Sequence, residues 1–236
     1  MDPHERTAPA GRSEQEILIA AGEEPIAGTL VMPSDATALV LFAHGSGSSR
    51  FSPRNIAVAD FLNLSGIATL LLDLLTPQEA ELNSHTGRFR FDVDLLASRL
   101  IAGVTQCSET EELKDLPVGF FGASSGAAAA IIAAVDSPVP IGAIVSRGGR
   151  PDLARWALRR LTSPTLLIVG GKDPEVIEFN RKALMMMRTI TALEIVPGAT
   201  HLFEEPGALE RVAELANDWF VRYLTETARS WEDSAP

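Results

Sequence analysis

Gly122-Ala123-Ser124-Ser125-Gly126 is the first stretch of this chain whose residue types could do covalent chemistry. It follows an apolar run, 116–124, and opens an alanine-rich run, 125–135, so it falls between a strand and a helix. In that setting G-x-S-x-G makes a sharp turn that lifts the serine hydroxyl clear of the backbone. Glycines at 122 and 126 remove side chains that would collide where the two backbones converge. The competing reading is a tight turn that merely contains serine. Ser125 is the rival hydroxyl, but the pattern centres on Ser124. Ser125 would be the first helical residue, offering its backbone N–H to a developing oxyanion.

A serine hydroxyl is a poor nucleophile near neutral pH and needs a base in hydrogen-bond reach, oriented by a carboxylate. The chain has four histidines. His4 lies in the N-terminal stretch, His85 in a polar segment, and His44 at the end of the apolar run 38–45. Only His201, in Pro-Gly-Ala-Thr-His-Leu-Phe, lies both downstream of the serine and just past a strand. Its competing reading is a structural histidine. Between serine and histidine, Asp173 follows the run 164–171 in Gly-Gly-Lys-Asp-Pro. Asp136 ends a helical stretch, and Asp152 and Glu175 sit in first helical turns, where the helix dipole accounts for them. The spacing predicts Ser124 as nucleophile, His201 as base and Asp173 as orienting acid.

His44-Gly45-Ser46-Gly47 follows another strand. Small residues there would let the Ser46 N–H face a reacting carbonyl, with the Ser125 N–H as second oxyanion donor. His44 reads as a structural member of that loop. Arg50 and Arg147 also lie in strand-end loops. A guanidinium there could hold a substrate carboxylate; the alternative is an ion pair that braces the loop. Asp73, Arg88 and Arg90 read as braces of the loop 76–90, which could border the cleft. Met185-Met186-Met187 reads as core filling on a helix.

The elements that must position these groups alternate. Strands are predicted over 16–20, 26–33, 38–45, 67–75, 116–124, 141–146, 164–171 and 192–198. Helices are predicted over 54–66, 91–106, 125–135, 151–161, 174–187 and 206–224, with a polar loop over 76–88. Such alternation predicts an α/β fold: a mostly parallel central sheet flanked by helices on both faces. Catalytic groups then collect at the carboxyl ends of the strands. Residues 1–14 read as a flexible tail, 15–230 as one domain and 231–236 as a C-terminal fray.

Composition narrows the function classes. A formal net charge of -11 leaves no basic surplus for nucleic acid or an anionic membrane. The single cysteine, Cys107, excludes an internal disulfide and fits a reducing compartment. The N-terminus lacks the apolar segment of a secretory signal. No run approaches the ~20 apolar residues that span a bilayer. The expectation is a cytoplasmic protein with no metal or cofactor site, no nucleic-acid or membrane partner, and no indicated oligomer.

The segments HGSG, GASSG, GGKDP and GATH, in that order, resemble the α/β-hydrolase superfamily and within it the small dienelactone-hydrolase-like enzymes. The resemblance spans about residues 16–225, nearly the whole chain. It implies a single-domain α/β-hydrolase fold and esterase chemistry through an acyl-enzyme on Ser124. Dienelactone hydrolases proper carry cysteine where this chain has Ser124, which speaks against dienelactone itself as substrate. The short connection between 146 and 151 leaves no room for a lid domain, so small soluble esters or lactones are the expected substrates. The alternatives are an acyltransferase or perhydrolase using the same three residues, and a non-catalytic binding protein of the same fold.

Overall fold

The computed structural model describes residues 11–22 and 24–226. The 231–236 stretch and residues 1–10 of the expected tail, His4 included, lie outside the described residues. Eight strands form one sheet: β1 (Arg12–Ile19), β2 (Ile26–Pro33), β3 (Ala38–Ala43), β4 (Ile67–Leu72), β5 (Val118–Ala123), β6 (Ile141–Arg147), β7 (Thr165–Gly170) and β8 (Thr191–Val196). The helices are α1 (Pro53–Asn63), α2 (Pro77–Thr86), α3 (Val93–Glu109), α4 (Ser125–Asp136), α5 (Pro174–Leu184) and α6 (Ala208–Phe220), with a 3₁₀ segment at Pro151–Arg159 and a π segment at Val221–Glu226.

The strand order is β1-β2-β4-β3-β5-β6-β7-β8. β2 runs antiparallel to β1 and β4; the remaining pairs are parallel. The chain leaves β3 for β4 on one side and returns to β5 on the other. β3 and β5 therefore flank the point where strand order reverses, the place where open α/β sheets hold their ligands. The loops carrying HGSG and GASSG leave these two neighbouring strands.

Every residue of β3, β4, β5 and β7 is buried, which is why these strands read as apolar runs, broken only by Thr69 in β4 and Thr165 at the start of β7. Alternate residues serve opposite faces. Leu39, Leu41 and Phe120 pack with α3, α4 and α5. Val40, Phe42 and Phe121 pack with α1 and α6, where Phe42 and Phe121 stack at 4.8 Å between ring centroids. The core thus lies on both sides of the sheet, and the loops at its carboxyl edge are held by rigid elements.

Four expectations need correction. Residues 77–86 form α2, not a loop. None of its residues is buried, so it has no apolar period to read. Its signal is a capping box: Thr76 Oγ1 accepts from Glu79 N at 3.2 Å, and the Glu79 carboxylate accepts from Thr76 N at 2.8 Å. The stretch 151–161 is not an α-helix but largely 3₁₀. Its buried residues are Pro151, Ala154, Ala157 and Leu158, and its backbone kinks at Arg155, so no continuous α-helical face forms. β1 begins at Arg12, inside the expected tail, because its register with β2 continues to Arg12 opposite Pro33. Of the three methionines only Met187 is buried; Met185 lies past the end of α5 and is 79% exposed.

Candidate active site

Ser124 sits where β5 turns into α4, with φ 51 and ψ -121. Non-glycine residues rarely adopt positive φ, and such strain persists only where the surroundings impose it. Here the Ser124 amide donates to the Arg147 carbonyl at 3.2 Å, and the Ser124 carbonyl accepts from Arg150 N at 3.0 Å. A Cβ on Gly126 would stand 2.6 Å from the His44 carbonyl oxygen, and one on Gly122 would be 2.7 Å from Ala127 N. Those glycines let α4 and the loop after β3 close on the serine. The helix of alanines, buried from Ala127 to Ala130, does the same from behind.

Two helix starts share an unusual feature. Ser124 is the N-cap of α4 and Asp173 the N-cap of α5, residue types that favour that position. Neither side chain makes the capping hydrogen bond. Each helix forgoes about 1 kcal/mol of cap stabilisation, leaving a hydroxyl and a carboxylate for other partners. For Asp173 the partner is His201, whose Nδ1 lies 2.7 Å from Asp173 Oδ2. Lys172 N donates to the Ala199 carbonyl at 2.9 Å and Gly171 N to the Val196 carbonyl at 2.8 Å, tying the loop after β7 to the loop after β8. A Cβ on Gly148 would stand 3.5 Å from the His201 ring. The ring therefore packs on the segment 147–148, whose Arg147 carbonyl holds the Ser124 amide. Serine, histidine and aspartate are brought to one edge of the sheet from the ends of three different strands.

The Ser46 amide donates to Ser125 Oγ at 3.2 Å. This N–H is already engaged, so Ser46 can serve an oxyanion only by sharing or releasing Ser125. His44 is buried. Its Nε2 accepts from Leu74 N at 3.1 Å, which leaves Nδ1 to donate to the Gly45 carbonyl at 2.9 Å. Burial lowers its pKa, in keeping with a neutral ring that joins the loops after β3 and β4. Burial also pushes the Cys107 thiol up to about 12, leaving it unreactive.

The two arginines meet different partners. Arg50 donates from Nη1 and from its backbone N to Asp73, and from Nη2 to Glu16 at 2.8 Å. Burial opposes its charge, but the hydrogen bonds it donates to Glu16 and Asp73 outweigh that and raise its pKa. Asp73 thus braces Arg50 rather than the segment 76–90, while Arg88 and Arg90 lie over the rings of Phe89 and Phe91. Arg147 is 8% exposed, and its Nη2 donates to Asn55 Oδ1 at 3.3 Å while Nη1 is buried without an acceptor. Burial, reinforced by Arg54, lowers it to about 10. The Arg50 arrangement has a testable consequence. Arg50→Ala should lower Tm by an amount corresponding to about 1–3 kcal/mol, because part-buried Asp73 loses its charged donor. Any loss of turnover should be equal for neutral and carboxylate-bearing esters. A variant with unchanged Tm and selective loss on charged esters would make Arg50 a substrate ligand instead.

The segment 76–90 borders a cleft, as expected, though as a helix, and one further contributor, Asn180, escaped the sequence reading. α2 and the residues after it supply Ala80, Asn83 and Phe89 to one wall of a cleft of about 510 Å³, whose other wall carries Ser46, Phe51 and Arg54. Asn180, fully buried on α5, donates to the Gly149 carbonyl at 2.9 Å and so fixes the segment behind Ser124. A polar residue at an apolar-face position of a helix was the available signal for the latter.

No family model matches the chain. The dienelactone hydrolase from Anabaena variabilis is 51% identical, with a TM-score of 0.88 over 91% of this chain and 99% of that one. Est1E from Butyrivibrio proteoclasticus superposes with a TM-score of 0.74 over 89% of this chain and 99% of that one, at 18% identity, a likeness of fold alone. Two Mycobacterium tuberculosis proteins named "Putative phosphoribosyl transferase" are 51% identical over 211 residues, 89% of this chain. The chain spans about half the length, 47%, of these curated relatives. No helix among the described residues is long and apolar enough to cross a membrane. Half the positions shared with a solved dienelactone hydrolase over nearly its whole length, at a TM-score of 0.88, settle the kinship: the chain belongs to the dienelactone-hydrolase family of α/β-hydrolases.

Proposed function

We propose that the protein is a serine hydrolase that cleaves small esters or lactones. The observation that carries this reading is the 2.7 Å hydrogen bond between His201 and Asp173, set against the segment that holds strained, uncapping Ser124. With Asp173 accepting from Nδ1–H, the free Nε2 of His201 is the tautomer that can take a proton. Ser124 Oγ attacks the carbonyl carbon and passes its proton to Nε2. The tetrahedral oxyanion is met by the Ser125 amide, at the start of α4, and by the Ser46 amide once it exchanges Ser125 Oγ for the ligand. Each such donor contributes roughly 3–4 kcal/mol as charge develops. Collapse expels the alcohol, protonated by His201, and leaves an acyl-enzyme that water, activated by the same histidine, hydrolyses. The cleft of about 510 Å³, with Phe51, Leu75 and Phe89 on its walls, suits a small substrate with an apolar portion.

The name of the curated relatives offers a second reading, phosphoribosyl transfer. Because this chain covers 47% of their length, we assign that name to the portion outside the match. Short p-nitrophenyl esters separate the readings. The purified chain should release p-nitrophenol well above the buffer rate. A competing alcohol or peroxide acceptor should not outrun water, as it would with an acyltransferase or perhydrolase. No pyrophosphate should appear from phosphoribosyl pyrophosphate. Ester release at the buffer rate would sink the hydrolase reading.

A further inference from the structure

The surface between the 3₁₀ segment Pro151–Arg159 and α5 differs in charge from its surroundings. The chain carries 31 acidic against 20 basic side chains, so carboxylates are plentiful. Arg12, Arg50, Arg54, Arg99, Arg150 and Arg211 each meet one. Among the described residues, Arg155, Arg159 and Arg160 have none within ion-pair reach. Three arginines within six positions, none engaged in an ion pair, in an acidic chain, form a local field that favours an anion.

Arg155 and Arg159 frame a concavity of about 450 Å³ whose apolar floor is Leu158, Ala183 and Met186. Arg155 and Arg159 stand on its rim with Asp152, already paired with Arg150, and Lys182, already paired with Glu178, and Trp156 completes the lining. Trp156 is 45% exposed, and the Arg160 guanidinium lies over its ring at 5.0 Å from the centroid. Arg155 has φ 34 and ψ -95, a conformation that non-glycine residues avoid. Buried Ala154 and Ala157 anchor the chain on either side of it. The strained residue thus lies on the rim next to the indole, and strain of this kind gathers at ligand clamps.

We propose that this concavity binds a small planar aromatic anion, with its ring stacked on Trp156 and its carboxylate or phosphate held by Arg155 and Arg159. The apolar floor accommodates the ring, the indole face supplies stacking, and the guanidinium forks match the geometry of an oxyanion. The volume lies within the range of small-molecule sites. The concavity shares no lining residue with the cleft that Gly45 and Ser46 line. Binding there is read without turnover and stands apart from the hydrolase reading.

Isothermal titration calorimetry on the whole chain tests it, with AMP and 2-naphthoate as probes. These two separate a nucleotide from an aryl carboxylate as the source of the ring and charge. At least one should bind saturably at a single site. Adenosine, a ring without charge, and ribose 5-phosphate, a charge without an aromatic ring, should bind at least about tenfold more weakly than AMP, should AMP be the ligand. The double variant Arg155→Gln/Arg159→Gln should weaken binding by about tenfold or more, and Trp156→Ala likewise, with Trp156→Phe restoring most of it. Tm should be unchanged in the arginine double variant, which separates lost binding from lost folding. The proposal is overturned if neither probe saturates at millimolar concentration, or if binding survives the arginine double variant. It is equally overturned if sedimentation shows a dimer that Trp156→Ala dissociates, since the patch would then be covered by a second copy.

Discussion

Replacing Ser124 by alanine is expected to reduce ester turnover by on the order of 10⁶ in kcat, the scale on which subtilisin responds to loss of its serine. The expectation follows from the place of Ser124 at φ 51 between β5 and α4, with a hydroxyl that caps nothing. The side chain makes no structural hydrogen bond that alanine would lose, so Tm should change little. Alanine inherits the same positive φ and relieves no strain. A fluorophosphonate should label wild-type protein at Ser124 alone, and the variant should not be labelled. Ser125→Ala is the control with a different outcome. Its hydroxyl accepts the Ser46 amide at 3.2 Å, and the oxyanion role proposed for Ser125 uses its backbone amide instead. That variant should keep activity within about tenfold of wild type, because a freed Ser46 amide offsets a loosened loop. Labelling at Ser125, or near-normal turnover in Ser124→Ala, would refute the mechanism.

The parts of this architecture that sequence reveals are those where chemistry or packing restricts residue type. β3, β5 and β7 are buried on both faces, so nothing polar interrupts them past Thr165 at the start of β7, and their ends are easily found. Gly122 and Gly126 are needed because backbone lies where a Cβ would go, so the turn carries its own signature. What sequence conceals is decided by tertiary context. α2 buries no residue and therefore shows no apolar period, and only its ends betray it, through the Thr76–Glu79 capping box, Pro77 and the left-handed Gly87. Arg50 and Arg147 look alike as loop arginines after strands. One is paired twice with carboxylates and the other is buried with a single asparagine contact, a difference set by Asp73, Glu16 and Asn55 from distant segments. The bond between Ser46 N and Ser125 Oγ spans 79 positions and has no local signal.

Asp173→Asn should lower kcat by about 10⁴, the size of the loss when chymotrypsin's buried aspartate is so replaced, or roughly 5.4 kcal/mol of transition-state stabilisation at 1.36 kcal/mol per decade. Asp173 Oδ2 accepts from His201 Nδ1 at 2.7 Å, which keeps the proton on Nδ1 and leaves Nε2 free. An asparagine amide placed there can donate to Nδ1. The ring then carries its proton on Nε2 and cannot accept one from Ser124. KM should change far less than kcat, because the aspartate meets the histidine and not the substrate. Folding should survive, since the Asp173 side chain makes no cap bond to α5 and asparagine is itself a favoured cap residue. The Tm of the variant should therefore lie at or slightly above that of wild type while activity collapses. That pairing separates a positioning role from a structural one, in which Tm and kcat would fall together. Fluorophosphonate labelling of Ser124 should slow in parallel with kcat, because attack on phosphorus needs the same base. If Asp173→Asn keeps full turnover and full labelling rate, His201 takes its orientation from some other group, and the assignment of Asp173 is lost.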